Sequence, residues 1–482
     1  MNIRIVLKLY GLLIILLGLC MSFSYIWGLY YNEPEKNAIA ISIGISFFIG
    51  SLLFYLNKNA ANDIYLQEAF LIVGGGWFVA GFFGALPYII SNSIPNFFDA
   101  FFESVSGFTT TGASILIDIE KLSKSILFWR SFTHWLGGMG IIVLFVALFP
   151  FLGVSARHLI KYETPGPIKT NLKASTNQTA KYLWYIYILL SLIECLLLFI
   201  AGMDLFNAMC HTFGTMATGG FSTLNKSIAG FDNKYIDIII TIFMILAGTN
   251  FNLFYFFILG NFKTFFKDME FKVYILIILF SSIFVSFLLY INKYYSTLLK
   301  AFRYSIFQVV SIITTTGFCT ANFNEWPEVI KLWFVVLMFI GGCSGSTGGG
   351  MKVFRIIVII KFAFQQILRL IYPQGVFILK IAKFPLPKNI MYQILGFFIL
   401  AILIFIFGSL YVSFHNIDII TSFSAVAATL WNIGPGLGKV SAIDNYYFLP
   451  SDVKFLLSIF MIIGRLELFT VIVLFVPHFW KK

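Results

Sequence analysis

An all-α polytopic membrane protein is the fold class this sequence predicts, and three observations carry the prediction. Hydrophobic residues make up 59% of the 482 and charged ones only 11%, with a mean hydropathy of +0.90. Soluble chains carry roughly 25% charged residues, so lipid must solvate most of this one. Apolar windows long enough to cross about 30 Å of hydrocarbon, about 20 residues each, recur from residue 10 to residue 475 and are read as ten transmembrane helices. Basic residues, finally, crowd the short loops of one side, which is the pattern that orients a chain in a membrane.

A formal charge of +12 suggests nucleic acid in a soluble protein, but here the placement of the charges explains them and no nucleic acid is expected. With Arg4 and Lys8 cytoplasmic, the same side receives Arg157, Lys161, Lys169, Lys173 and Lys181, then Lys263, Lys267 and Lys272. Lys352, Arg355, Lys361, Arg369, Lys380, Lys383 and Lys388 follow, and Lys481 and Lys482 close the chain, so both termini are expected in the cytoplasm of a bacterial inner membrane protein. The apolar stretch of residues 10–31 ends in Tyr30-Tyr31-Asn32-Glu33 without a small-residue cleavage pattern and reads as a retained helix. Five dispersed cysteines (Cys20, Cys195, Cys210, Cys319, Cys343) give neither a disulfide framework nor a zinc spacing.

The chain repeats itself. Segments rich in Thr, Gly and Ser interrupt the apolar texture at residues 109–114 (TTTGAS), 217–222 (ATGGFS), 314–319 (TTTGFC) and 431–436 (WNIGPG). Aligned on Gly112, Gly219, Gly317 and Gly434 they lie 107, 98 and 117 residues apart. Each follows a long apolar helix and a short amphiphilic one (95–108, 204–216, 299–313, 418–430) and precedes a second long helix (125–152, 236–260, 328–371, 452–479). This divides the chain into an N-terminal helix pair (1–60) and four repeats: 61–160, 161–270, 271–385 with an intramembrane loop at 341–350, and 386–482. The short helices cannot span; they must dip in and return. Irregular backbone at membrane depth survives only where protein buries it or water wets it, so four such loops around one axis imply a pore.

A dehydrated alkali cation needs oxygens in place of its water shell, and rings of backbone carbonyls supply them in potassium channels. Glycine reaches the required backbone angles at little steric cost, and Thr or Ser adds hydroxyl oxygens. The candidate cation ligands are therefore Thr110, Thr111, Gly112, Thr218, Gly219, Thr315, Thr316, Gly317, Asn432, Ile433 and Gly434. One such segment alone would read as a turn between helices; four in register argue against that. The fourth has no Thr beside its glycine, so the ring cannot be fourfold symmetric.

These motifs, with W-L-G-G-M-G at 135–140, G-C-S-G-S-T-G-G-G-M-K at 342–352, N-I-G-P-G-L-G at 432–438 and G-R-L-E at 464–467, resemble the Trk/Ktr/HKT potassium transporter superfamily over nearly the whole chain. The N-terminal helix pair is similar to the TrkH branch. The resemblance implies that Gly112, Gly219, Gly317 and Gly434 match the filter glycines, preceded by Thr111, Thr218, Thr316 and Ile433. It links glycine at all four points to potassium preference, and serine in the first loop to sodium permeation in some plant relatives. It further implies potassium as the transported ion, a homodimer with one pore per protomer, and a TrkA-like ring of cytoplasmic nucleotide-binding subunits as the regulator, so that no nucleotide binds this chain.

Residues 341–350 hold six glycines, each costing about 1 kcal/mol in a helix relative to Ala. The helix must break there, and a phosphate-binding loop is excluded because Met351 follows Gly350 and no strand precedes it. The two readings are a gate beneath the filter, which the resemblance also implies, and a passive hinge. The gate residues are taken as Gly345, Gly348, Gly349, Gly350, Lys352 and Arg465. Arg465 and Glu467 fall inside the last span, where charges face a cavity or a partner; a purely structural ion pair is the alternative for Arg465. Glu103 and His211 fall on short helices. Asp118, Glu120, Glu325 and Asp444 follow the filters, where they either concentrate cations at the mouth or belong to solvated loops. Arg130 and His134 receive no role.

An integral-membrane enzyme would display H-E-x-x-H, G-x-S-x-G or a His/Asp pair at a helix end, and none occurs. A sodium-coupled carrier would show inverted repeats, whereas these four share one orientation.

Overall fold

The structure is a computed structural model that describes residues 1–60, 64–140, 176–381 and 384–480. Arg157, Lys161, Lys169, Lys173, Lys383, Lys481, Lys482 and residues 141–152 of the helix expected at 125–152 lie outside the described residues. The described chain is helical apart from two two-residue antiparallel strands, Lys380–Ile381 and Phe384–Pro385.

Helices α1 (Ile3–Tyr30) and α2 (Lys36–Leu56) form the N-terminal pair. They approach closely because glycines face each other. A Cβ added to Gly11 would lie 2.7 Å from the Gly50 carbonyl oxygen, and one on Gly50 2.8 Å from that of Gly11. Small residues that let backbones touch are how helices associate in lipid, where apolar burial gives no net drive. Gly11→Val is therefore expected to separate the pair and cost about 1–3 kcal/mol, read as a lowered melting temperature of the purified protein; an unchanged melt would mean the contact is slack. Between the two helices Glu33 accepts the Lys124 and Ser125 N–H groups at 2.6 and 2.9 Å, so the pair caps the N-terminus of α5 (Lys124–Gly138).

Three further long apolar helices open the first, second and third units: α3 (Leu66–Ile90), α6 (Thr176–Ile200) and α11 (Met269–Ile291). The fourth is opened by α15 (Lys388–Phe414). Each leads into a short helix: α4 (Phe97–Phe108), α7 (Leu205–Met216), α12 (Leu298–Ile313) and α16 (Ile419–Leu430). All four begin on a side-chain cap, since Asn96, Asp204, Thr297 and Asp418 each accept an N–H from the first turn. That signal is readable in the sequence, and it matters because a buried helix start otherwise leaves donors orphaned.

The second long helices behave differently from the expectation of continuous spans. The helix expected at 236–260 is α8 (Lys234–Ala247) and α9 (Phe251–Ile258), bent by 95° at Gly248, Thr249 and Asn250; a short α10 (Phe262–Lys267) follows. The third is broken as expected: α13 (Glu328–Ile340) ends at Gly341 and α14 (Val353–Ile371) resumes after the glycine-rich loop. The helix expected at 452–479 is α17 (Ser451–Arg465), then α18 (Leu468–Ile472), with Glu467 left-handed at φ +59° between them. Glu467 thus lies in a break rather than inside a helix. Helix α5 likewise stops at Gly138. Among the described residues six helices are long and apolar enough to cross a membrane, or seven with the bent pair counted as one. The bend at residues 248–250 and the breaks at residues 341–352 and 466–467 divide three of the expected second long helices into shorter pieces.

Candidate functional site

The C-termini of the four short helices converge, and each ends in the same hydrogen-bonded motif. The N–H groups of Thr111, Gly219, Thr316 and Ile433 donate to Ser106, Gly214, Ser311 and Ala428 at 2.7 to 2.9 Å. The N–H groups of Thr110, Thr218, Thr315 and Asn432 donate three residues back, to Gly107, Thr215, Ile312 and Thr429. This pair of bonds closes a helix on a left-handed residue, usually glycine. Here that place is held by Thr110, Thr218, Thr315 and Asn432, with φ between +54° and +60°. Left-handed non-glycine residues persist only where the surroundings over-determine them.

Two residues on, the chain turns left-handed again, at Gly112, Gly220, Gly317 and Gly434 with φ of +79° to +92°. This corrects the alignment of the second loop. Gly220, not Gly219, is the equivalent of Gly112, Gly317 and Gly434; Gly219 is the equivalent of Thr111, Thr316 and Ile433. Glycine replaces the expected threonine there because the His134 ring fills the side-chain place, 2.5 Å from an added Cβ.

With that register the four loops close into a ring. A Cβ added to Gly112 would lie 2.0 Å from the Gly219 carbonyl oxygen, one on Gly220 2.0 Å from that of Thr316, one on Gly317 2.3 Å from that of Ile433, and one on Gly434 2.4 Å from that of Thr111. Each glycine admits its neighbour's carbonyl, and the fourth returns to the first. The helix C-termini add partial negative charge toward this ring, so the arrangement suits a cation stripped of water.

Buried polar side chains hold the loops from behind. Glu103 accepts the Ile115 N–H at 2.9 Å and the Arg130 Nε–H at 2.6 Å, and Arg130 donates to the Ser222 carbonyl at 2.9 Å while covering the Phe221 ring. His134 Nδ1 meets the Gly107 carbonyl at 2.7 Å and Nε2 accepts the Phe221 N–H at 3.2 Å, which fixes the neutral Nδ1–H tautomer. His211 Nε2 meets the Ser222 hydroxyl at 2.9 Å. Arg130 and His134 thus tie the first two loops together. Sequence reasoning left both without a role because their partners, Glu103, Ser222 and Phe221, belong to other segments. Thr109 and Thr314 bond to Thr111 and Thr316, and Asn432 Nδ2 donates to the Thr111 hydroxyl at 2.9 Å across the fourth and first loops.

Of the outer carboxylates, Asp444 lines the cavity above Gly112, Gly220, Gly317 and Gly434. Asp118 is paired with Lys121 at 2.9 Å, and hydrogen bonds from Asn225 and then Lys121 hold its carboxyl below the usual range. Glu325 accepts from Asn322 at 2.7 Å. Glu325 is therefore satisfied within its own loop, and Asp118 by Lys121 of its own loop together with Asn225 of the second.

The glycine-rich loop packs directly against the third and fourth loops. Added Cβ atoms on Gly348 and Gly349 would lie 2.9 Å from the Thr314 carbonyl oxygen and 2.4 Å from that of Trp431. Gly345 faces Asn250 across the α8–α9 bend, and its carbonyl accepts the Phe251 N–H at 3.0 Å. Lys352, left-handed at φ +69°, turns its Nζ back onto the Gly348 carbonyl. Glu270 accepts the Ser344 and Phe354 N–H groups at 2.7 and 3.0 Å and so fixes both ends of the segment. Arg465 reaches across: its guanidinium donates to the Thr347 carbonyl at 2.6 Å and to the Gly137 and Gly138 carbonyls at 2.5 and 2.6 Å. Glu467 pairs with Arg355 at 2.5 Å. The structure thus brings Gly345, Gly348, Gly349, Gly350, Lys352 and Arg465 together beside the ring.

A sequence model of the TrkH family, described as cation transport protein, matches residues 35–482. The chain is 40% identical to the Trk system potassium uptake protein TrkH of Escherichia coli K12 over 486 residues, covering all of both chains. It is 33% identical to the same organism's Trk system potassium uptake protein TrkG, over all of this chain and 99% of the relative. The crystal structure of the potassium transporter TrkH from Vibrio parahaemolyticus superposes with a TM-score of 0.90 at 36% identity, again over the whole of both chains. These relatives are membrane transporters and not enzymes. With helices apolar enough for repeated crossing, the protein is a multi-pass membrane protein, and the chain belongs to the TrkH family of cation transport proteins.

Proposed function

We propose that this chain is the potassium-conducting, channel-like subunit of a Trk-type uptake system in a bacterial inner membrane. One observation carries the reading: four carbonyl oxygens, from Thr111, Gly219, Thr316 and Ile433, each stand against the left-handed glycine of the neighbouring loop in a closed cycle. The names of the relatives, all potassium uptake proteins or transporters, support potassium as the ion. In this reading ten transmembrane helices fall into the pair 1–60 and four repeats (61–160, 161–270, 271–385, 386–482), with both termini cytoplasmic. Thr110, Thr218, Thr315 and Asn432 form the inner end of the filter, and Gly112, Gly220, Gly317 and Gly434 the outer. Residues 341–350, with Lys352 and Arg465, form the gate. A second copy completes a homodimer, and a TrkA-like cytoplasmic ring carries the nucleotide and moves the gate.

The test is growth of a potassium-uptake-deficient bacterium in low-potassium medium, expressing the chain with its cognate regulator, with rubidium and sodium fluxes recorded. Rescue with rubidium influx is expected. Gly112→Ser should lower rubidium flux and admit sodium, because the added atoms displace the Gly219 carbonyl. Absence of both fluxes from protein present in the membrane would refute the transport reading.

A further inference from the structure

The glycine-rich loop and the third filter loop share a hydrogen bond that packing alone does not require. The Gly349 N–H donates to the Thr315 hydroxyl oxygen at 2.6 Å, and the Gly350 N–H donates to the Trp431 carbonyl at 3.1 Å. Thr315 is fully buried and is one of the four left-handed residues that end the short helices. Its equivalents are arranged differently: Thr218 donates to the Ala217 carbonyl at 2.6 Å, whereas Thr110 Oγ1 and Asn432 Oδ1 bond to nothing among the described residues. Of these four side chains, only that of Thr315 receives a donor from residues 341–350.

A buried peptide N–H must find an acceptor, and glycine at 349 lets the backbone come close enough to use a filter side chain. We propose that Thr315 is a positioning residue that latches the intramembrane loop to the third filter loop, so that releasing the loop and freeing the Thr315 oxygen toward the inner filter are one event. A peptide N–H carries partial positive charge and occupies the hydroxyl's acceptor site, so loop and dehydrated cation compete for the same oxygen. The latch rests on the gated-pore reading above and adds to it that the permeant ion itself opposes closure.

The test uses the full chain in proteoliposomes with Cys343 as its only thiol, Cys20, Cys195, Cys210 and Cys319 being changed to Ser. Cys343 lies in the loop and is buried, so its labelling rate by a small thiosulfonate reports loop release independently of transport. Removing the acceptor leaves a buried donor unsatisfied, enough to shift an equilibrium about fivefold or more. Thr315→Val and Thr315→Ala should therefore label about fivefold faster than the parent. Thr315→Ser, which keeps the hydroxyl, and Thr110→Val, which alters an equivalent residue whose hydroxyl receives no hydrogen bond from the loop, should stay near the parental rate. Equal rates in parent, Thr315→Val and Thr315→Ala would overturn the latch, as would an equal acceleration by Thr110→Val. Rubidium uptake read on the same samples separates the two claims: the expected labelling pattern without uptake in any sample keeps the latch and sinks the transport reading.

Discussion

Rubidium uptake through Gly220→Ala is expected to fall about tenfold or more below the parent while the protein still reaches the membrane. Two costs act at one atom. Alanine in the left-handed region loses roughly 1–2 kcal/mol, and its Cβ would lie 2.0 Å from the Thr316 carbonyl oxygen. That neighbour is backbone, so no rotamer change relieves the overlap; the carbonyl must move. It is one of the four ring oxygens, and a displaced ligand raises the barrier for a cation that has already lost its water. Gly44→Ala, with nothing within 4 Å of the added atom, is the matched control and should conduct as the parent does. Equal uptake by the two variants would mean that Gly220 is outside the filter and that the register given by the hydrogen bonds is wrong.

Arg465→Gln is expected to raise uptake in the absence of a regulator, again by about tenfold or more. The guanidinium holds three carbonyls from two separate segments, Thr347 in the glycine-rich loop and Gly137 with Gly138 at the end of α5. Hydrogen bonds from a charged donor contribute about 1.5–3 kcal/mol each. Glutamine carries only two N–H donors and no charge, so the loop loses its tether to α5. Regulator-free rubidium uptake, normalised to protein in the membrane, checks this. A fall in uptake, or none in either direction, would leave Arg465 as a structural brace. Glu467 does not stand in for it: a carboxylate accepts but cannot donate to these carbonyls, and Glu467 already accepts from Arg355.

Much of this was legible in the sequence, and the reasons are local. The apolar windows, the caps Asn96, Asp204, Thr297 and Asp418, and the four polar interruptions each express a property of a short stretch. The glycine-rich break at 341–350 was equally plain, since six glycines in ten residues cannot continue a helix. The bend in α8–α9 was not, because a single Gly248 is a weak breaker and Asn250 acts only by capping the next segment. The second polar loop shows the limit most clearly. ATGGFS contains two adjacent glycines, and nothing in the string says which one turns left-handed; the Gly219 N–H to Gly214 carbonyl bond and the His134 ring decide it.

The sequence by itself determined that lipid is the solvent, that a short-helix and polar-loop unit recurs four times, and that one of the following helices breaks. Periodicity and composition need no knowledge of what lies across the molecule. Tertiary structure alone decided which oxygen faces which glycine, that Arg130 and His134 brace the loops, and that Arg465 spans from the glycine-rich loop to α5. A ring whose first and fourth loops are joined by Thr111 and Asn432, 321 residues apart, is closed by packing, and the direction of a carbonyl is fixed only when its neighbour arrives.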